Sequence, residues 1–233
     1  MKLYMLFVIC LVLCLDVKGY KEKKNKISKE ALPRLRLQNL VDKLPSKDII
    51  PILNETAAIK VNFGIQLINL LELDSSQIKA VLWLPMTWKN EFLQWDPQDY
   101  DGINSIRVPI EKMWKPDIEL ENSVRKPEMV LESLTIVTND GSVLWYPSMV
   151  ITASCKRLDK TARRSRVNCP LKFGSWAHDV RYIDMKSDSD SVDVSGFQGS
   201  EKWELVGHSQ ERHAVTYEKY GTYIDVTGNL TFV

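Results

Sequence analysis

A strict two-residue alternation between Tyr223 and Phe232 constrains the fold of this chain more than any other feature of its sequence. The apolar side chains are Ile224, Val226, Leu230 and Phe232. The intervening polar positions include Tyr223, Asp225, Thr227, Asn229 and Thr231. Because successive side chains of a strand point to opposite faces of a sheet, this pattern predicts a β-strand with one face in the core and the other facing solvent.

Further segments carry the same signal. Residues 59–63 alternate, residues 78–83 alternate more loosely, and residues 134–138 have strand character. Asn139-Asp140-Gly141 is a turn signal, and residues 142–154 are predicted to form the return strand, with Pro147 at an edge or a bulge.

Only one region has helical spacing. Leucines 32, 35, 40 and 44 recur at helical intervals within residues 28–44, and Pro33 suits the first turn. Many short strands, turn signals and a single helix predict an all-β sandwich with an N-terminal helix.

The first residues predict the compartment. Lys2 precedes an apolar run over residues 3–15, which is shorter than the ~20 residues that span a bilayer, and small residues follow. We interpret residues 1–19 as a signal peptide, with a buried N-terminal helix as the alternative. Residues 20–29 are lysine-rich and predicted to be disordered, which leaves residues 30–233 as the folded domain.

A secreted, extracellular chain follows from this interpretation. Removal of residues 1–19 leaves equal numbers of basic and acidic side chains, so no global positive field favours nucleic acid or an anionic membrane. No second apolar run approaches membrane length, so no transmembrane segment is predicted within the chain.

Cys155 and Cys169 are the cysteines left after the signal segment. A pair of cysteines in a secreted chain predicts a disulfide, whereas free thiols or a zinc site are poorer interpretations because no other Cys or His lies at ligand spacing. The bond would close a thirteen-residue loop, a constraint worth roughly 3 kcal/mol. Asn54 and Asn229 begin glycosylation sequons, which suit secretion.

Catalytic motifs are missing from the sequence. The three histidines, His178, His208 and His213, lack metal-pair spacing, and there is neither a nucleophile elbow nor a glycine-rich phosphate loop. The aspartates between Asp184 and Asp193 match no calcium-loop spacing. We therefore predict no enzyme activity, no metal and no cofactor.

An ordered set of motifs resembles the nicotinic type of pentameric Cys-loop receptor. The set consists of the paired tryptophans Trp83 and Trp88, Trp95-Asp96-Pro97, Tyr100-Asp101-Gly102, Arg107-Val108-Pro109, Trp114-Lys115-Pro116-Asp117 and Gly174-Ser175-Trp176. Over residues 30 to 233 the chain is similar to the extracellular ligand-binding domain of that family, in the freestanding form of the acetylcholine-binding proteins. The resemblance implies a ten-strand immunoglobulin-like sandwich behind an N-terminal helix, and a ring of five copies.

The resemblance also implies an aromatic site for cations between neighbouring copies. On its principal face, Trp176 matches the central tryptophan, and Tyr217 and Tyr223 match two tyrosines of a flap. On the complementary face, the matching residues are Trp83, Ile136, Leu144 and Tyr146. Packing inside the sheet is the alternative role for the last three. The matches at Trp88, Trp95 and Trp114 imply structural roles, and Asp117 is expected to brace a loop.

Three departures from the family pattern qualify this site. Glu121 stands where the family has a further tyrosine, and a buried carboxylate must be solvated, paired or protonated. Residues 218–221 replace the adjacent cysteine pair of the flap. The loop over residues 156–168 is basic and lacks the apolar Phe-Pro core of channel subunits, so it suits water better than a membrane domain.

Three functional hypotheses follow. The first is a secreted homopentamer that captures an acetylcholine-like or other small cationic amine. The second is the extracellular domain of a channel subunit that lacks its transmembrane part. The third, motivated by Glu121 and the missing cysteine pair, is a pentameric assembly protein whose pocket has decayed.

Overall fold

A computed structural model describes residues 32–54, 56–131, 133–159 and 166–233. The predicted signal peptide and the predicted disordered segment therefore lie outside the described residues. The described part of the chain contains no helix with the length and apolar content needed to span a bilayer.

Among the described residues, one compact unit combines Leu32–Lys43 with Asp96–Ile103. Helix α1 (Leu32–Asp42) lies within the segment whose leucine spacing predicted a helix. A 3-10 helix follows at Pro97–Tyr100, where the Asp96 side chain accepts a hydrogen bond from the Gln98 amide. Arg36 Cζ lies 5.3 Å from the ring centroid of Tyr100, within cation–π range.

The second unit combines Leu44–Trp95 with Asn104–Val233 and carries every strand that the structure describes. The strands are β1 (Ile59–Phe63), β2 (Gln66–Leu73), β3 (Gln77–Trp83), β4 (Met86–Lys89), β5 (Ser105–Val108), β6 (Ile118–Leu120), β7 (Glu128–Leu131), β8 (Thr135–Thr138), β9 (Ser142–Trp145), β10 (Ser148–Ser154), β11 (Lys156–Arg157), β12 (Val167–Ser175), β13 (Ile183–Ser187), β14 (Leu205–Tyr217) and β15 (Gly221–Phe232). A second 3-10 helix spans Ile110–Lys112.

These strands form three sheets. Sheet A has the order β13-β1-β4-β9-β8-β5, and sheet B has the order β2-β3-β10-β7. Sheet C has the order β11-β12-β15-β14, with β6 also pairing with β12. The pairings are antiparallel except for the parallel ladder between β1 and β13. The predicted all-β sandwich with an N-terminal helix is confirmed, although the strands are divided into more segments than the ten expected.

The apolar faces of the sheets supply the core. Phe63 of sheet A and Phe173 of sheet C have ring centroids 5.1 Å apart, which joins the two sheets. In β15, the even-numbered positions from Ile224 to Phe232 are all buried, as the alternation predicted. The predicted solvent-facing side is wrong at Asp225 and Thr227, which are also buried. Removing such side chains from water is the main favourable term in folding.

Pro147 breaks the predicted return strand in two. The chain runs along β9 in sheet A, leaves it at Tyr146-Pro147 and enters sheet B as β10. The single strand predicted over residues 142–154 is therefore wrong at this point. A proline has no N–H to donate to a neighbouring strand. The break at Pro147 therefore allows consecutive strands of the chain to pair in two different sheets.

Candidate ligand-binding site

Trp176 is the most exposed of the large hydrophobic side chains in the described chain. It directly follows β12, and 79% of its surface is accessible. A tryptophan usually buries much of its large apolar surface, so an indole this open is unusual.

Asp117 holds the Trp176 segment in place. Its two carboxylate oxygens accept hydrogen bonds from Ser175 Oγ at 2.7 Å and from the Ala177 amide at 2.8 Å, and one of them lies 3.0 Å from His178 Nδ1. The Trp176 amide donates to the Asp117 carbonyl at 3.4 Å. Asp117 therefore braces this loop, as the sequence analysis expected.

Because Asp117 contacts both neighbours of Trp176 in the chain, removing its side chain should loosen the indole without altering any ligand contact. We expect Asp117→Ala to weaken binding of the cationic ligand that the family resemblance implies by roughly tenfold, about 1.4 kcal/mol. Asp117→Asn keeps one acceptor oxygen and should lose less. Fluorescence titration of both variants measures this, and unchanged affinity in Asp117→Ala would contradict the bracing role.

Two tyrosines stand on the hairpin formed by β14 and β15. Tyr217 ends β14, Tyr223 lies near the start of β15, and their rings are 5.9 Å apart in an edge-to-face arrangement. Tyr217 is half exposed, and Tyr220 at the tip of the hairpin is more exposed still. The phenol rings therefore present aromatic surface to solvent instead of packing in the core.

The turn end of this hairpin is tied to the segment that follows Trp176. The Val180 amide donates to the Thr222 carbonyl at 2.8 Å. Gly221 has a φ of +95°, and a Cβ there would lie 2.7 Å from Asp179 Oδ2, so only glycine fits. The hydrogen bond from Arg181 lowers the pKa of the Asp179 carboxyl, which stays charged beside the hairpin.

Glu121 is paired. Its Oε2 lies 2.7 Å from Lys172 Nζ, which is also 3.5 Å from the buried carboxylate of Asp225. Asp225 in turn accepts from Thr227 Oγ1 at 2.8 Å and lies 2.9 Å from His213 Nδ1. Burial works to lower the pKa of Lys172, but the hydrogen bond to Glu121 and the charges of Asp225 and Glu121 raise it, so the ammonium is retained.

The residues assigned to the complementary face lie on sheets A and B. Trp83 ends β3 and is about half exposed. Ile136 and Leu144 are directly paired between β8 and β9, and both are partly exposed. Tyr146 is also exposed. The Leu84 amide donates to the Pro147 carbonyl at 3.1 Å, which ties the end of β3 to the residue after Tyr146.

Within one chain, the structure brings the two tyrosines into ring contact and connects their hairpin to the Trp176 loop. The complementary residues lie on or beside sheets A and B, whereas Trp176 and the two tyrosines lie on or beside sheet C. Trp88, Trp95 and Trp114 are buried, which agrees with their structural assignment, and Trp88 and Trp114 pack edge-to-face at 6.0 Å.

The predicted disulfide and sequons also have positions in the structure. Cys155 and Cys169 are bonded to each other, as expected. Asn54 is exposed, and its Oδ1 accepts from Thr56 Oγ1 at 2.7 Å. Asn229 lies on β15 with partial exposure. Glycosylation at both asparagines stays a prediction. Among the described residues, no group of three or more His, Cys, Asp or Glu side chains could hold a metal ion.

Comparison with known proteins decides the family. The family described as the neurotransmitter-gated ion-channel ligand binding domain matches residues 36–233. The chain belongs to this family. Its relatives are neurotransmitter-gated ion-channel subunits, a class of proteins that are not enzymes.

Two rat proteins illustrate the similarity to this ligand-binding-domain family. Neuronal acetylcholine receptor subunit beta-3 is 36% identical over 163 residues, covering 69% of this chain and 35% of the relative. Neuronal acetylcholine receptor subunit alpha-6 is 31% identical over 212 residues, covering 90% of this chain and 42% of the relative. The chain thus spans less than half the length of these relatives.

Sequence reasoning missed the charged network behind Glu121. Lys172, His213 and Asp225 were not identified as members of the site. A signal for Lys172 exists, because apolar and polar residues alternate between Val167 and Phe173 and place Lys172 opposite the core. Its pairing with Glu121 and Asp225, however, depends on how β6, β12 and β15 lie together.

Proposed function

We propose that the chain is secreted, assembles as a ring of five identical copies and binds a small cationic amine between neighbouring copies. The observation that carries this proposal is the exposed indole of Trp176 beside a hairpin that displays Tyr217 and Tyr223. Electron-rich ring faces attract an ammonium group, and each good contact is worth roughly 0.5–2 kcal/mol.

The second wall of the site comes from the neighbouring copy. Trp83, Ile136, Leu144 and Tyr146 form an exposed or partly exposed group on sheets A and B, where they supply aromatic and apolar surface. Two incomplete surfaces that meet across an interface would enclose the ligand and remove it from water, which strengthens its electrostatic attraction to the rings. The names of the relatives, both acetylcholine receptor subunits, support a ligand of the acetylcholine class.

The site attracts a cation through aromatic rings rather than through Glu121. That carboxylate already faces the ammonium of Lys172 at 2.7 Å, so its charge is compensated within the chain. Asp225 also faces Lys172, and it lies beside His213. A quaternary amine, which has no N–H to donate, gains more from ring faces than from a carboxylate that is already paired.

Replacing Glu121 with tyrosine should therefore strengthen the binding of a quaternary amine by roughly threefold to tenfold, because it adds a ring and Asp225 still neutralises Lys172. Titration with tetramethylammonium and acetylcholine measures the change. Glu119→Tyr, at an exposed position two residues away, is the matched control and should have little effect. Weaker binding in Glu121→Tyr would identify the carboxylate as the cation's partner.

Titration of the purified chain with acetylcholine, nicotine and serotonin tests the proposed function directly. Tryptophan fluorescence reports binding, and analytical ultracentrifugation reports the assembly. We expect a mass of five chains and saturable quenching by at least one amine below millimolar concentration. A monomer at every concentration would refute the capture of amines by this protein. So would a pentamer whose tryptophan fluorescence is quenched by none of a broad set of amines.

A second candidate function is the ligand-binding part of a longer receptor subunit. The lengths of the relatives favour it, since alignment with this chain covers only 35–42% of them. The sequence of the transcript beyond the codon for Val233 separates the two functions. A stop codon supports the freestanding protein, and several long apolar segments support the receptor subunit.

A further inference from the structure

A cavity inside the second unit lies next to the loop that carries Trp176. Its volume is about 230 Å³. Its walls come from the first residue of β4, the loop before β6 and β6 itself, β7, the end of β9, β10 and β12. The main apolar side chains are Leu84, Met86, Met129, Trp145, Met149 and Phe173. Every wall residue belongs to one chain, so the cavity exists without a neighbouring copy.

The size of the cavity suits a small ring. An engineered cavity of about 150 Å³ with apolar walls stays dry and binds benzene in another protein, so 230 Å³ leaves room for a substituted benzene. Trp145 and Phe173 offer aromatic surfaces for edge or stacked contacts. Three methionines add flexible thioethers, which adapt their shape and make favourable contacts with aromatic rings.

Charged groups stand at the edge of this space and leave its interior apolar. Lys115 and Glu119 are solvent-exposed wall residues of opposite charge, and Lys115 Nζ lies 5.8 Å from the ring centroid of Trp145. The carboxylate of Asp117 is already occupied by Ser175, Ala177 and His178. A charged guest would lose its hydration in the apolar interior, because Lys115 and Glu119 lie only at the solvent-exposed edge, so the cavity selects against it.

We propose that this cavity binds a neutral, monocyclic aromatic molecule, at a site distinct from the aromatic surface that carries Trp176, Tyr217 and Tyr223. The proposal depends on the walls alone and requires neither a ring of five copies nor an amine.

Iodobenzene is the probe for this site. Calorimetric titration of the purified full chain should give saturable binding, and the anomalous signal of iodine in a crystal should lie between Met129 and Trp145. The charged analogue 4-iodobenzoate should bind at least tenfold more weakly. An absence of saturable binding up to the solubility limit, equal affinity for both probes, or an iodine position outside the cavity would overturn the proposal.

Two neighbouring substitutions on β7 provide a matched pair. Met129 lines the cavity and is partly exposed, so Met129→Trp should fill the opening and weaken iodobenzene binding at least tenfold. Val130 is exposed and is not a wall residue, so Val130→Trp should change the affinity by less than twofold. Equal losses in the two variants would contradict the assignment. If Met129→Trp does not fold, the iodine position in the unchanged protein decides the question.

Amines are absent from this assay, so its outcome is independent of the proposed function. If iodobenzene binds as expected and no amine binds, the proposed cavity site stands and the proposed amine site is refuted. If an amine binds and iodobenzene does not, the proposed cavity site is refuted and the proposed amine site stands.

Discussion

Replacing Trp176 with alanine is expected to weaken the binding of a quaternary amine by more than tenfold while the ring of copies stays assembled. The indole is 79% exposed, so its removal opens no cavity in the core and should cost little stability. The loss falls on ligand binding, because the largest ring face of the site disappears. A tenfold loss corresponds to about 1.4 kcal/mol, within the range of a well-formed cation–π contact.

Two variants make this experiment specific. Trp176→Phe keeps a smaller ring with a weaker attraction for cations, and it should fall between the wild type and the alanine variant. Trp203→Ala removes another partly exposed indole, on the segment before β14, and should leave the affinity unchanged. Fluorescence or calorimetric titration measures all three. If Trp176→Ala binds the amine as tightly as the wild type, the site lies elsewhere on the chain.

The second large effect concerns stability. Replacing both Cys155 and Cys169 with serine is expected to lower the free energy of unfolding by roughly 3 kcal/mol, because the unfolded chain regains the freedom of a thirteen-residue loop. In the folded state this loop is also closed by the pairing of β11 with the start of β12, so the native ladder persists without the bond. The disulfide therefore acts mainly on the unfolded state.

Urea denaturation of the double variant measures the loss, with the reduced wild type as its control. The two should lose similar amounts, since both lack the same crosslink. Single serine variants are unsuitable because each leaves a free thiol that can form mixed disulfides. A loss below about 1 kcal/mol would mean that the unfolded chain is already compact in this region.

Local sequence patterns predicted the parts of the fold that depend on the spacing of apolar residues along a strand and on the residue types that favour turns. The alternation along β15 predicted its core-facing positions, because side chains two residues apart share a face of a strand. It did not predict that Asp225 and Thr227 on the other face are buried as well, since the partners of Asp225 lie on neighbouring strands. The turn at Asn139-Asp140-Gly141 was likewise found. The division of the next segment between two sheets was missed, because one proline is compatible with an edge, a bulge or a change of sheet.

The candidate site was also predictable only in part. Trp176 and Tyr217 were identified by resemblance, and the structure adds that their side chains are exposed and that their segments are tied together. The ion pair of Glu121 could not be predicted from the sequence. Its partner Lys172 is far away along the chain and meets it only because β6 pairs with β12.

The parallel ladder between β1 and β13 has a consequence for how the protein is made. Residue 59 pairs with residue 183, so β1 leaves the ribosome long before its neighbour on that side exists. During this interval one edge of β1 offers unpaired N–H and C=O groups to any extended segment nearby. Long-range pairing of this kind forms slowly, so we expect this edge of β1 to stay open to wrong pairing until the chain has been made as far as Ser187.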